Sequence, residues 1–440
     1  MQHTPERLPY GMTTRDHPKK LFVEVTTRCN LRCGMCVKQN GAGGVAEGSM
    51  SAETFERLAP AFAGLDTLVL NGIGEPLLHP RLEDFIRRAR TLLPGRASVG
   101  FQTNGMALTA ERAASLVDAG LDRICISLDA VSDEGFRSIR SGGERGGVVA
   151  AFENLNRARA RSGGRGLRIG IEFVLMRGNL ADLPRAIRWA GRSGASFAIV
   201  TQLLPYNRDI AAQAVYDTST SAAVAIYGRW KSEAEREGLD IRQYLNTLTK
   251  VRRTQEEERI VRLVESMKSD AESQGVALRL ERLLRRDEEL LASAGEVLDE
   301  ARRAALEEGV ELTLPAMAPR NARKCDFVEG DSAFVSWDGN VHPCYFLWHR
   351  YACYVGGVEK RVRPWAFGNL RDRDILAIWK SPDSRSFRER VLGYKFPFCF
   401  DCGFALCDYT GDEEFEQDCH IERVPCGACL WCTGLFHCLQ

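Results

Sequence analysis

The sequence lacks an excess of charge of either sign. Its 59 lysines and arginines equal its 59 aspartates and glutamates, so no net field draws the chain toward nucleic acid or an anionic surface. It lacks any stretch near the roughly 20 consecutive apolar residues that span a bilayer. The opening segment, "MQHTPERLPYGMTTRDHPKK", lacks the apolar run of a secretory signal. These absences predict a cytoplasmic protein with no nucleic acid and no membrane among its partners. A hydrophobic content of 44% in 440 residues is enough for two or three domains with a sizeable core.

Cysteine is what the chain has in abundance, with 15 residues. In a long chain without a secretion signal, that number favours metal ligands over disulfides. Three lie between positions 29 and 36, and eleven lie between Cys325 and Cys438. Cys125 stands alone in the apolar run "ICISL", where a buried, inert thiol is expected.

From about residue 20 to 215, short apolar runs alternate with amphipathic stretches. The strand candidates are "LFVEVTT", "TLVLNG", "ASVGFQTNG", "RICISLDA", "LRIGIEFVLM" and "FAIVTQLLPY". Helix-like stretches such as "SAETFERLAPAFAG" and "TAERAASLVDAG" open at Ser or Thr and close at glycine. Six strand–helix repeats predict a parallel α/β sheet with helical crossovers and ligands at the C-terminal strand ends. Residues 220 to 310 are highly charged and proline-free, and read as long helices forming a solvated insertion or a platform for a partner protein. Beyond residue 320 the chain turns to Cys, Gly and aromatics, with little apolar core of its own, so that bound metal could hold it together. The expected division is an N-terminal tail (1–17), an α/β unit (18–218), a charged helical segment (219–318) and a cysteine-rich unit (319–440).

"TTRCNLRCGMC" places Cys29, Cys33 and Cys36 on the loop after the first strand candidate. A structural zinc needs a fourth ligand, and none is near in sequence. Three thiolates hold three irons of a 4Fe–4S cubane and leave the fourth open to a substrate. C-x3-C-x2-C after strand one of a six-fold strand–helix repeat resembles the radical S-adenosylmethionine superfamily. The resemblance implies a partial (β/α)6 TIM-type barrel, here with a helical insertion and a small Cys-rich iron–sulfur domain. In that family the open iron chelates the amino and carboxylate groups of S-adenosylmethionine. One electron then cleaves the sulfonium to methionine and a 5′-deoxyadenosyl radical, which abstracts hydrogen. The residue before the third cysteine is commonly aromatic there; here it is Met35, apolar and polarizable.

Further motifs fall at successive strand ends. "NGIGEP" gives Gly72, Gly74 and Glu75, resembling the family's GGEP-type turn, whose carbonyls and Glu75 accept bonds from the methionine ammonium. Alone it is only a glycine turn. The next motif, "LLHP", holds His79, expected to be structural. "QTNG" gives Thr103 and Asn104, and "SLDA" gives Ser127 and Asp129; both resemble cofactor-side motifs and are equally good turn chemistry. Arg140 is a carboxylate partner or a surface arginine. Glu172 points toward the cofactor or into a buried pair.

The tail opens with Cys325, Gly339 and Cys344 in the form C-x13-G-x4-C. Cys353, Cys399, Cys402, Cys407, Cys419, Cys426, Cys429, Cys432 and Cys438 follow. A C-x2-C unit lets both thiolates point at one centre. The tail resembles the SPASM extension of radical S-adenosylmethionine enzymes, which carries two auxiliary 4Fe–4S clusters. That family's later pattern is C-x2-C-x5-C-x3-C and then a distant Cys. Cys399-x2-Cys402-x4-Cys407 is one residue short of it, and Cys429-x2-Cys432-x5-Cys438 fits its first part. Two all-cysteine cubanes need eight thiolates and eleven are present, so the partition stays open. A non-Cys ligand such as His342, His349, His420 or His437 also stays open, and zinc ribbons are the rival reading.

SPASM enzymes mostly act on peptides or proteins. The resemblance therefore implies a peptide- or protein-modifying maturase that draws electrons from reduced flavodoxin or ferredoxin. The cysteine-dense "PCGACLWC" also looks like a subgroup linked to maturation of tungsten or other metalloenzymes. A different class, a non-catalytic iron–sulfur carrier or scaffold, needs no methionine pocket, and "GIGEP" and "SLDA" argue against it.

Overall fold

Each of the six apolar runs forms a strand. They are β1 (Lys20–Val23), β2 (Thr67–Val69), β3 (Ser98–Thr103), β4 (Arg123–Ser127), β5 (Arg168–Leu175) and β6 (Phe197–Gln202). They pair in sequence order, all parallel, with register partners such as Phe22–Val69 and Ser127–Glu172. The structure is a computed structural model and describes residues 15–40, 45–163, 166–400 and 416–440. β6 is buried along its whole length, as befits a parallel strand covered on both faces.

The crossovers begin and end as their residues dictate. Thr109 caps the helix Ala110–Asp118 by accepting a bond from the Arg112 N–H at 3.2 Å, and Gly120 takes φ +96° just past its end. "SAETFERLAPAFAG" forms two short helices, Ala52–Glu56 and Ala59–Phe62. Pro60 sits in the first turn of the second helix, where its missing N–H costs nothing, and it could not continue the first.

The sheet extends beyond the six-fold repeat on both sides. β7 (Glu311–Thr313) lies parallel to β6, and β8 (Ser332–Val335) lies parallel to β1. β9 (Asn340–His342) returns antiparallel to β8 through a turn where Gly339 has φ +88°, as a hairpin requires. A separate hairpin pairs β10 (Tyr351–Val355) with β11 (Val358–Val362). β12 (Gly368–Asn369) closes the row beside β9, giving ten strands in the main sheet among the described residues. The cysteine-rich region therefore shares the sheet's core: Ala333, Phe334 and Val335 are buried in one cluster with Leu21, Phe22 and Val23.

The charged helical segment divides in two. Helices Ser221–Arg236, Gln255–Ser273 and Leu280–Leu284 enclose their own core of Ile226, Tyr227, Val264, Met267 and Leu283. The helix Glu288–Glu308 packs into the sheet's core instead. It lies along Leu183–Arg192, with Arg188 to Glu300 at 3.0 Å and Arg192 to Glu308 at 2.8 Å, and leads directly into β7. No helix among the described residues is long and apolar enough to cross a membrane.

Candidate functional site

The loop after β1 carries the three N-terminal thiols, and the turn after β2 is pressed against it. A Cβ on Gly74 would stand 2.3 Å from the Thr26 carbonyl oxygen, and one on Gly72 would stand 2.3 Å from Glu24 Cγ, so both positions need glycine. The Glu75 N–H donates to Arg28 O at 2.8 Å. The Glu75 carboxylate accepts from Leu77 N–H at 3.0 Å, Thr103 O–H at 2.7 Å and Asn104 N–H at 2.7 Å. Glu75 thus clamps the ends of β2 and β3 together. Burial pushes its pKa up, and those hydrogen bonds pull against the rise. Asn104 reaches the cysteine loop: its amide donates to Asn30 Oδ1 at 2.9 Å and lies 3.9 Å from Cys29 Sγ.

Arg140 is buried, so the surface reading of it does not hold. Its Nε lies 2.6 Å from Asp129 Oδ2, and its Nη1 lies 4.0 Å from Cys33 Sγ. Asp129 is wholly buried and also accepts from the Val174 N–H at 2.8 Å. Glu172 lines the cavity and accepts a bond from Gln102. Burial first, and Asp129 second, push its carboxyl up to about 8 against the pull of Arg140.

These groups surround a cavity of about 290 Å³. Cys29, Cys33, Met35 and Cys36 form one wall; Gly72, Gly74, Glu75, Thr103, Asn104, Ser127 and Arg140 form the strand-end side. Asp129 sits behind Arg140 rather than in the wall. The far side comes from the tail, through Tyr345, Trp348, Trp431, Phe436, His437 and Cys438. Gln202 Oε1 and His437 Nε2, of two residues that line it, are buried with no hydrogen-bond partner among the described residues, a cost that a polar ligand would relieve. The thiols fit an iron–sulfur group by their chemistry: burial raises all three, Cys36 to about 11. Soft donors of this kind are ionised by a metal rather than by water.

The tail cysteines fall into separate groups. Cys325, Cys344, Cys426, Cys429, Cys432 and Cys438 line a small enclosed cavity of about 30 Å³. Burial pushes Cys325 and Cys438 up to about 12. Cys438 also lines the larger cavity, and the Trp431 indole donates to its sulfur at 3.5 Å. Trp431 and Phe436 likewise wall both spaces and stack at 4.9 Å. Cys399 sits beside this group, its N–H donating to Gly427 O at 3.1 Å between Cys426 and Cys429, while Cys353 faces Lys360 across the β10–β11 hairpin. Cys419 is exposed on a turn, away from both cavities. Cys402 and Cys407 lie outside the described residues. Among those described, no three His, Cys, Asp or Glu side chains converge as a single metal ion needs.

The histidines are largely engaged elsewhere. His342 Nδ1 meets Trp365 O at 2.9 Å, His349 Nε2 meets Glu24, and His420 Nδ1 meets Lys395 O at 2.8 Å. His79 is buried and holds Met50 O at 3.0 Å, a structural role as expected. Cys125 is buried in β4, as expected. Glu24, Gln102, Trp431 and Lys360 were not singled out from the sequence. A charged residue inside the apolar run "LFVEV" was the available signal for Glu24, whereas the charged "VEKRV" gave none for Lys360.

Residues 23–190 match the family model described as the radical SAM superfamily, and residues 325–403 match SPASM, described as an iron–sulfur cluster-binding domain. The chain is similar to the tungsten-containing aldehyde ferredoxin oxidoreductase cofactor-modifying protein of Pyrococcus furiosus, with 28% identity over 425 residues, 96% of this chain and 97% of that protein. It is 34% identical over 185 residues to GTP 3′,8-cyclase of Rhizobium meliloti, covering 41% of this chain and 50% of that enzyme. Among solved structures, Streptococcus suis SuiB bound to S-adenosylmethionine shares the fold with a TM-score of 0.50 at 12% identity, over 92% of this chain and 78% of that one.

Proposed function

This chain carries a radical SAM domain followed by a SPASM iron–sulfur cluster-binding domain, and from that premise we propose that it is a radical S-adenosylmethionine enzyme that modifies the cofactor of a metalloenzyme. The observation that carries the reading is the shared cavity, in which Cys29, Cys33 and Cys36 face Trp431, His437 and Cys438 of the tail. The near end-to-end likeness to a cofactor-modifying protein supports the substrate class.

Cys29, Cys33 and Cys36 would hold the first cluster. When bound, that cluster supplies the electron that splits S-adenosylmethionine and, through it, a radical that removes hydrogen. The chain's own residues position and shield. The Glu75 clamp fixes the turn after β2 against the cysteine loop. Asn104 and Arg140 direct N–H groups toward Cys29 and Cys33. Asp129 orients Arg140. Tyr345, Trp348 and Trp431 keep the substrate side apolar and exclude water. Glu172, neutral near pH 7, is placed to hold or give up a proton at its carboxyl. The tail thiols would hold two auxiliary clusters, and reduced flavodoxin or ferredoxin would supply electrons.

A peptide- or protein-modifying maturase is the second reading. It is favoured by the helices between residues 221 and 284, whose core is independent of the sheet and offers a place for a protein partner. Anaerobic reconstitution with iron counting and an assay for 5′-deoxyadenosine test the chemistry; about twelve irons per chain are expected for three cubanes. Mass spectrometry of a metalloenzyme matured with and without this chain tests the substrate. A mass change confined to the small-molecule cofactor supports the first reading, and one on the polypeptide supports the second.

A further inference from the structure

Lys360 occupies a core position of the β10–β11 hairpin. Along β11, Lys360 and Val362 are buried, while Arg361 between them is exposed. Along β10, Tyr351, Cys353 and Val355 are buried. The antiparallel register sets Lys360 directly opposite Cys353, which brings their side chains together on one face. A lysine on that face is an anomaly, because an ammonium taken out of water costs several kcal/mol unless an anion meets it.

The charge of Lys360 has little else to meet. Its one hydrogen bond among the described residues runs to the Ala428 carbonyl at 3.4 Å, and its ammonium lies 4.8 Å from the Phe400 ring centroid. Among the described residues no carboxylate pairs with it. Arg282 nearby carries the same sign and is spent on Gly356 O at 2.7 Å. Arg323, the other cation near the tail thiols, is held by three carbonyls, of Pro397, Tyr394 and Phe396, at 2.9 to 3.0 Å. What flanks Lys360 is cysteine-bearing chain: Cys353 is its cross-strand partner, Ala428 adjoins Cys429, and Phe400 adjoins Cys399.

We propose that Lys360 is a positioning residue, the counter-cation of the auxiliary iron–sulfur group held by the tail thiols on its side, and that it raises that group's reduction potential. The inference rests on the reading of the tail as cluster-binding and not on the identity of the substrate. An iron–sulfur group ligated by thiolates carries net negative charge, and its reduction adds one more. A fixed positive charge at the wall favours the reduced state. An auxiliary group at raised potential is the one suited to take an electron from a substrate radical.

The test is a potentiometric titration followed by electron paramagnetic resonance on the full reconstituted chain, with Lys360→Met and Lys360→Arg. Lys360→Met keeps the apolar stem and removes the charge; it is expected to move one auxiliary signal to lower potential. Lys360→Arg is expected to leave that signal in place, and both variants to leave the N-terminal cluster's potential unchanged. If Lys360→Met loses auxiliary iron while Lys360→Arg retains it at the wild-type potential, the counter-charge role stands. The proposal is overturned if Lys360→Met shifts nothing, if both variants shift alike, if both lose the iron, or if the wild-type tail binds no iron. The assay for 5′-deoxyadenosine is run in parallel, so a failure of the first cluster's chemistry is read separately.

Discussion

His349 Nε2 stands 3.1 Å from both carboxylate oxygens of Glu24. Glu24 follows β1 and is wholly buried; His349 belongs to the tail. The same carboxylate accepts from the Ile73 N–H at 3.0 Å and the Trp337 N–H at 3.4 Å. One carboxylate therefore joins the cysteine loop's strand, the turn after β2 and the tail's β8–β9 hairpin.

Glu24→Ala leaves those donors unpaired in the interior and is expected to cost about 1–3 kcal/mol, read as a lower denaturation midpoint. Because Ile73 belongs to the glycine turn, S-adenosylmethionine binding weakens as well. Glu24→Gln, which keeps an acceptor, is expected to lose less on both counts. Equal loss in the two variants would remove the charge-independent part of this explanation.

Gly74→Ala drives a methyl group into the Thr26 and Arg28 carbonyls, which are backbone and cannot swing aside. The expected cost is about 1–3 kcal/mol of overpacking, with reduced iron at the N-terminal site. Iron per chain and thermal midpoint check this. Gly295→Ala, inside the helix Glu288–Glu308 and with no described atom beyond its own helix within 4 Å of the new Cβ, is the control and is expected to behave nearly as wild type.

The motifs at strand ends were legible in the sequence because each is local. "GIGEP" and "QTNG" sit directly after apolar runs, whereas the bonds from Thr103 and Asn104 to Glu75 were not foreseen, because they depend on β2 and β3 lying side by side. The flanking strands were not legible, because β7 and β8 reach β6 and β1 from more than 100 residues away and carry no shared local pattern. The division of the charged segment was hidden for the same reason: Glu288–Glu308 resembles its neighbours in composition and differs only in what it packs against. The partition of tail cysteines depends on contacts between residues near 325, 353 and 430, which spacing cannot reveal. Arg140 was readable as a carboxylate partner, but its partner is Asp129 of the same chain.

Arg140→Met strands the wholly buried Asp129. Removing one member of a buried pair costs about 3–5 kcal/mol, and S-adenosylmethionine cleavage is expected to fall with it. The double variant Asp129→Asn with Arg140→Met should recover part of the stability and none of the activity. Chemical denaturation and product formation, measured on wild type and both variants, separate the two effects.

Glu172 gives a pH signature. Its carboxyl is raised to about 8 in the folded chain, above the value of about 4.3 for an unfolded chain. The folded state therefore holds a proton that the unfolded state releases. This contribution is fully present below the unfolded value and is lost as pH rises through about 8, on the order of a few kcal/mol. Glu172→Gln removes the titration, so its stability should fall less than that of wild type between about pH 5 and pH 8. Parallel stability curves for the two proteins across that range would contradict the assignment.

The central claim is that Cys29, Cys33 and Cys36 together hold a cluster whose open iron takes S-adenosylmethionine. The most direct measurement is 5′-deoxyadenosine formed per chain under reducing, anaerobic conditions, with iron counted in the same samples, for wild type and for Cys29→Ala, Cys33→Ala and Cys36→Ala. The account predicts product from wild type, none from any single variant, and a loss of about four irons with the tail iron retained. Undiminished product from any one of the three variants would contradict it.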